Sequence, residues 1–378
     1  MTPELTEDEQ AVIEQIERFA REILAPKAAE IDETSSFATC HLASLAEMGL
    51  MGMNLPESCG GLGLSGPGLY RAVELVAGAC GSTASMLTAH FLATDSILLG
   101  AGEALRSALL PRAAAGEILG AFALTEPMAG SNPMDMRTKA VREGDHFRLT
   151  GSKCFISNAG EADFIVVYAK TDPQAGARGI SAFLVEPKVT NGVEIAPAER
   201  TMGLKGGHVF GISFDCLVPA ANLIGEAGTG FKTAMKVLDN GRIEVAAQAT
   251  GIAEAAMNAA ISYAKERHVG GHPIGDFQGL QFMIADMANQ LAAARALGLH
   301  AAGLRGTGRR FSSEAAHAKL FASEAAWGIA DKALQIHGGY GYTRDFPLER
   351  YLRDLRIFRI YEGSSEIQRT IIARGLLA

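Results

Sequence analysis

The chain lacks the features that mark several large classes of protein. Its five cysteines (Cys40, Cys59, Cys80, Cys154 and Cys216) are odd in number, widely spaced and without a CxxC pair. That argues against a disulfide framework or a thiolate zinc site and for reduced thiols in the cytoplasm. The nine histidines form no HExxH pattern, so no metal is expected. No apolar stretch is continuous enough to cross a bilayer: residues 75–102, free of Glu, Lys and Arg, hold His90, Asp95 and several Ser and Thr. No Lys/Arg cluster resembles a nuclear or lipid-surface patch and the formal net charge is −8, so neither nucleic acid nor a membrane is an expected partner. The opening MTPELTEDEQ is acidic, unlike a secretory or transit leader. Low-complexity segments and 20-to-50-residue repeats are missing, which argues against a solenoid, and the turn over 121–133 is neither a P-loop nor a GxGxxG fingerprint, so it does not indicate a Rossmann-type site.

What is present separates by period into three regions of an α+β protein, residues 1–118, 119–225 and 226–378. The first is helical. Thr6 and Glu9 have capping-box spacing, followed by Val12, Ile16, Phe19 and Ile23 at three-and-four spacing. Further helical stretches follow over 41–51, 69–78 and 84–100. The middle region holds short runs of strand composition: GAFAL, DHFRL, KCFIS, ADFIVVYAK, GISAFLV and VFGISFDCLV. Their lengths and turns suit an antiparallel barrel or sandwich. The third region returns to helices, with Ala-rich stripes over 245–263, 280–294 and 316–334, as in a bundle.

Four segments carry candidate chemistry. AFALTEPMAGSNP (121–133) runs a strand into a turn where Gly130 lets backbone N–H groups and the Ser131 hydroxyl converge on an anion or ring edge. TGSKCFISNAG (150–160) reads as a hairpin turning at Gly151-Ser152, with Phe155 and Ser157 on one face, an aromatic beside a hydroxyl. LDNGRIEVAAQATG (238–251) sets Asp239 and Arg242 at i, i+3; taken alone, this is a surface ion pair. RIYEGSSEIQ (359–368) holds Glu362 between Tyr361 and Gly363, ahead of a helix that Ser365 would cap with Gln368 reaching back. A lone Glu there reads as a solvated turn residue, its nearest sequence cations being Arg356 and Arg359.

Taken together, ALTEPxAGS, QIHGGYGY and IYEGSSEIQ, in this order and at these separations, resemble the acyl-CoA dehydrogenase family over essentially the whole chain. The resemblance implies a helical N-terminal domain, a middle β-barrel, a C-terminal four-helix bundle and FAD as cofactor. It implies Glu362 as the catalytic base. Phe122, Leu124, Thr125, Gly130 and Ser131 would line the flavin ring and phosphate side, with Phe155 and Ser157 over the ring and at its N5 edge. Ser131, Asp239, Arg242, Tyr361 and Gly363 would lie by the acyl-CoA. Arg267, Gln278, Gln335 and Gly339 would hold the adenine and pyrophosphate of FAD across a subunit boundary, with Ser364 and Glu366 as further contacts.

The implied assembly is a dimer of dimers. In the implied reaction Glu362 removes the α-proton as the β-hydride passes to flavin N5, giving the trans-2-enoyl-CoA. Electrons then go to an electron-transferring flavoprotein. Burial would raise the Glu362 pKa from its ordinary ~4.3 toward that of a working base.

Three positions depart from the family pattern. Val269-Gly270 replaces a polar residue and an aromatic in an Arg-x-Gln-Phe-Gly stretch, Gly206-Gly207-His208 replaces a hydroxyl-bearing stretch, and Phe155 stands where many members carry Trp. Ser85 and Met86 supply no Arg to anchor a dicarboxylic acyl chain, so a short or branched acyl group is expected. Gly241 offers no competing base. Alternative readings are an oxidase of the same fold using oxygen, or a non-catalytic acyl-CoA-binding homologue.

Overall fold

Local rules place the first helix. In the computed structural model, which describes residues 5–377, Thr6 accepts from the Glu9 N–H, and Glu9 reaches back to the Thr6 N–H at 3.2 Å. This closes the expected capping box at the head of α1 (Glu7–Phe19). Ile16 and Phe19 are buried, but Ala20–Leu24 widen into a π-helical turn. The wider turn rotates Leu24 into the core and leaves Ile23 outside, against the straight three-and-four count. Five more helices complete the first region: α2 (Ala28–Thr34), α3 (Leu42–Glu47), α4 (Gly66–Ala79), α5 (Gly81–Gly100) and α6 (Glu103–Ala114). Nearly all of α5 is buried, because it is flanked by helices on one side and by the sheet on the other.

The middle region is one sheet: β1 (Gly120–Ala123), β2 (Lys139–Glu143), β3 (His146–Ser157), β4 (Phe164–Lys170), β5 (Ile180–Val185), β6 (Val193–Ile195), β7 (Val209–Pro219) and β8 (Leu223–Ile224). The spatial order is β6-β7-β3-β2-β4-β5-β8, with β1 against β4. Pairing is antiparallel except that β1 and β2 run parallel to β4. DHFRL and KCFIS, expected to flank a hairpin turn, are instead one strand. Gly151, at a φ of 150°, carries β3 through while β7 pairs along both halves. The irregularity lies further on, as a bulge between Lys153 and Ile156 that puts Phe155 at a left-handed φ of 56°.

That bulge sits beside a buried ion pair. Lys153, on the inward side of β3 in alternation with Phe147 and Leu149, is fully buried. Its Nζ donates to the Leu124 carbonyl (2.9 Å) and to Glu126 Oε1 (2.8 Å). Glu126 also accepts from the N–H groups of Arg137 (2.5 Å) and Thr138 (3.1 Å). One carboxylate therefore closes the base of the 125–138 loop and anchors it on β3. Burial alone would raise the Glu126 carboxyl, but Lys153 and these N–H groups hold it below the ordinary carboxylate range.

After β8 come α7 (Gly230–Glu266), a small exposed hairpin of β9 (His268–Val269) and β10 (His272–Pro273), α8 (Gln278–Ala302), α9 (Ser312–His337), α10 (Leu348–Leu355) and α11 (Ser365–Leu377). Helices α7, α8, α9 and α11 make the bundle, and one core runs from it into α1, α4 and α5. All three regions meet at α10. Arg353 grips both oxygens of Asp32 (2.8 and 2.6 Å) and reaches the Met202 carbonyl. Asp354, fully buried, accepts from the Leu204 N–H at 2.6 Å. The Gly206-Gly207-His208 departure lies on this seam. Gly206 bonds Ser82 and Ala38, and His208 bonds the Ser35 carbonyl, so the stretch joins the middle region to the first.

Lys153→Met would leave Glu126 buried and unpaired, so it should lower unfolding stability by about 3–5 kcal/mol. Denaturant titration checks this, and a loss below about 1 kcal/mol would contradict it.

Candidate active site

Glu362 lies between α10 and α11 with a left-handed φ of 51°, followed by Gly363 at 88°. Two consecutive left-handed residues make a tight reversal, which a glutamate adopts only where its surroundings hold it. Three groups do so. Lys319 on α9 donates to the Gly363 carbonyl at 2.7 Å. Gln368 on α11 donates to the same carbonyl (2.8 Å) and to that of Glu362 (3.2 Å). Glu324 on α9 accepts from Arg359 (2.8 Å) and Ser365 (2.6 Å), pinning both ends of the loop. Ser365 is thus engaged with α9 and does not cap α11. Ser364 takes that place, its hydroxyl facing the Ile367 N–H at 3.5 Å.

The reversal carries the Glu362 side chain inward against α7. Glu362 as a residue is only half-buried, but its Oε2 is shut off from solvent and has no hydrogen-bond partner. That oxygen rests on Gly241; a Cβ there would overlap it and crowd Leu92 of α5. Burial pushes the carboxyl up to about 7, against the pull of Lys319 and Arg242. The ring of Tyr361 stacks on Phe358 (centroids 5.7 Å apart), and the Tyr361 hydroxyl is buried beside the Gln248 amide.

Asp239 and Arg242 do not form a surface pair near a helix start. They lie within α7, both largely buried, joined at 2.5 Å, with Ser312 donating to Asp239. One turn further along, Glu244 is buried against Arg305 (3.2 Å), which also holds Asp95 (3.1 Å).

The sheet side presents a different surface. Leu124 is buried, Phe122, Thr125 and Ser157 are half-buried, and Gly130 and Ser131 are exposed on the loop rim. Phe155 stands 65% exposed on the bulge, near a loop carrying Met128 and Met134, both also exposed. Cys154 N–H donates to the Thr125 carbonyl at 3.0 Å, so these two segments lie side by side. An exposed aromatic next to hydroxyls and a glycine with open space above it suits one face of a planar, polar-edged ring.

Arg267 and Gly339 line a third feature, an open groove at the end of α9, with Tyr263, Val269, His337 and Tyr340. Gln278 and Gln335 are exposed near helix ends but do not line it. Glu366 is exposed on the first turn of α11. Among the described residues no His/Cys/Asp/Glu cluster could hold a metal, and no helix is long and apolar enough to cross a membrane.

Lys319, Gln368 and Leu92 escaped the sequence reading. Lys319 had a visible signal, a lone cation within the buried stripe of Ala315, Ala318, Ala322 and Ala326. Gln368 was noticed only as a capping partner, and Leu92 had no signal at all.

Comparison with known proteins agrees with this layout. The N-terminal, middle and C-terminal domain signatures of acyl-CoA dehydrogenase match residues 6–117, 121–216 and 228–377. An acryloyl-CoA reductase (NADH) of Anaerotignum propionicum is 44% identical over 99% of this chain and 95% of its own. Butyryl-CoA dehydrogenase from Megasphaera elsdenii superposes with a TM-score of 0.97 at 38% identity, covering both chains fully. A structure described as the electron transferring flavoprotein of Acidaminococcus fermentans gives a TM-score of 0.97 at 43% identity, again covering both chains fully. The chain belongs to the acyl-CoA dehydrogenase family, FAD-dependent flavoprotein oxidoreductases.

A carboxyl whose pKa is raised by folding favours the folded state most below its unfolded pKa, and that contribution is lost as pH rises through about 7. Glu362→Gln should therefore melt higher than the parent at pH 8, with the gap closing toward pH 4.5. Thermal melts across that range test it, and a gap that does not change with pH would refute it.

Proposed function

We propose that the chain catalyses α,β-dehydrogenation of a short acyl-CoA thioester, with Glu362 as the base that takes the α-proton. The observation that carries this reading is the Glu362 carboxylate oxygen sealed against Gly241 with no hydrogen-bond partner. A solvated carboxylate is too weak a base to deprotonate carbon next to a thioester; one titrating near neutrality is matched to the task. Bound FAD supplies the acceptor for the β-hydride. The sheet-side residues fit its ring: Phe155 as an aromatic face, and Thr125, Ser131 and Ser157 as hydroxyls at its edge. Arg267 and Gly339 offer a cation and open backbone for phosphate oxygens, and Gln278, Gln335, Ser364 and Glu366 are the remaining candidate contacts.

The Glu362 N–H makes no hydrogen bond among the described residues, which leaves it free to hold the thioester oxygen as negative charge develops. Asp239 and Arg242 hold each other behind that position, and Tyr361 and Gly363 bracket the base. Gly363 matters for space as well as φ, since a Cβ there would run into the Gln368 amide. The names of the similar proteins, acryloyl-CoA reductase and butyryl-CoA dehydrogenase, favour a three- or four-carbon acyl group. The similarity to the Acidaminococcus structure favours an electron-transferring flavoprotein as redox partner, and the family resemblance favours a dimer of dimers.

The reductase relative also favours a second reading, the same bond change run backwards. A carboxyl with a pKa near 7 can return a proton to the α-carbon as readily as remove one.

Purified protein should be yellow, and anaerobic butyryl-CoA should bleach the flavin. Glu362→Gln should abolish bleaching. Gly241→Ala should slow it roughly 100-fold by displacing the carboxylate, with thioester binding kept. Bleaching of Glu362→Gln at the parent rate would remove Glu362 as the base. Oxidation by air as fast as by the flavoprotein would favour an oxidase.

A further inference from the structure

We propose that Lys319 is a positioning residue for Glu362: its ammonium fixes the Gly363 carbonyl that sets the left-handed reversal, and it supplies the positive field in which the carboxylate works. The inference rests on reading Glu362 as the base.

Nothing in the packing of α9 calls for a lysine at this position. Lys319 is fully buried in an alanine-lined stripe where a Met or Leu would fill the same space. Its Nζ makes one hydrogen bond, 2.7 Å to the Gly363 carbonyl, and no ion pair among the described residues. Burying an ammonium with a single neutral acceptor is costly, and a cost that folding does not need points to the site it faces.

The charges around it explain what it does there. On α7, Arg242 is committed to Asp239 at 2.5 Å, and Glu244 to Arg305 at 3.2 Å. On α9, Glu324 is committed to Arg359 and Ser365. On α11, Glu366 is exposed to water. On α5 the charged side chain is Asp95, which Arg305 holds. Lys319 is therefore the larger of the two cationic influences on Glu362, the charge of Arg242 being shared with Asp239. Burial lowers its own pKa to about 8, against the pull of Glu362. The two groups therefore titrate within reach of each other, with the lysine keeping its proton through neutral pH.

The test compares full-length, flavin-loaded parent, Lys319→Met, Lys319→Arg and Glu362→Gln. The first readout is the pH profile of anaerobic flavin bleaching by butyryl-CoA. The second, taken without substrate, is the infrared band of the protonated carboxyl that disappears in Glu362→Gln. In Lys319→Met the carboxyl should titrate about one pH unit or more above the parent. Bleaching should fall about tenfold at pH 6.5 and recover to within about threefold at pH 9. Lys319→Arg should restore most of the parent profile. A merely structural lysine would slow bleaching equally at every pH and leave the carboxyl titration in place, and that result overturns the proposal. If Lys319→Met does not fold, Lys319→Gln serves in its place, read against the same outcomes. If Glu362→Gln bleaches normally, the base assignment fails. If it is inactive while Lys319→Met titrates with the parent, only this inference fails.

Discussion

The site depends on one carboxylate oxygen that the protein has shut away from water and left without a partner. Desolvating a carboxylate is among the more expensive things a fold can do, and the surrounding structure is arranged to make it hold. Gly241 provides the space, since any side chain there would evict the oxygen. The left-handed pair at Glu362 and Gly363 aims the side chain inward, and Lys319 and Gln368 hold the carbonyls that follow. Two cations nearby temper the desolvation without quenching it, so the group titrates near neutrality.

A second buried ion pair plays a different part. Glu126 and Lys153 are both nearly inaccessible, yet neither is left reactive. Each is saturated by backbone groups, and the result is a rigid base for the 125–138 loop and the bulge bearing Phe155. The contrast with Glu362 is one of satisfied against unsatisfied hydrogen-bonding capacity. Full satisfaction gives a structural tie, and the missing partner leaves the Glu362 carboxyl with its raised pKa.

Much of this was legible in the sequence because period and punctuation act locally. The Thr6 capping box, the apolar stripes of α7 to α9 and the strand runs of the middle region all follow from neighbours a few residues apart. What failed was longer in range or finer in geometry. Gly151-Ser152 has turn composition, but pairing with β7 carries the strand through. Ser365 has cap spacing, but Glu324 forty-one residues away captures its hydroxyl. Asp239 and Arg242 look like a surface pair until α9 packs against α7 and brings Ser312 onto Asp239. Glu362 could be singled out by resemblance, but the cause of its altered chemistry, Gly241 on one side and Lys319 on the other, exists only once α7, α9 and the final loop come together.

The seam at α10 has a further consequence. Arg353 and Asp354, adjacent in sequence, fasten the first region through Asp32 and the middle region through Met202 and Leu204, while belonging to the last. A protein stitched at that point has little freedom to open and shut like a jaw. The placement of the three regions around the Glu362 loop is set by these ties rather than by a closing motion.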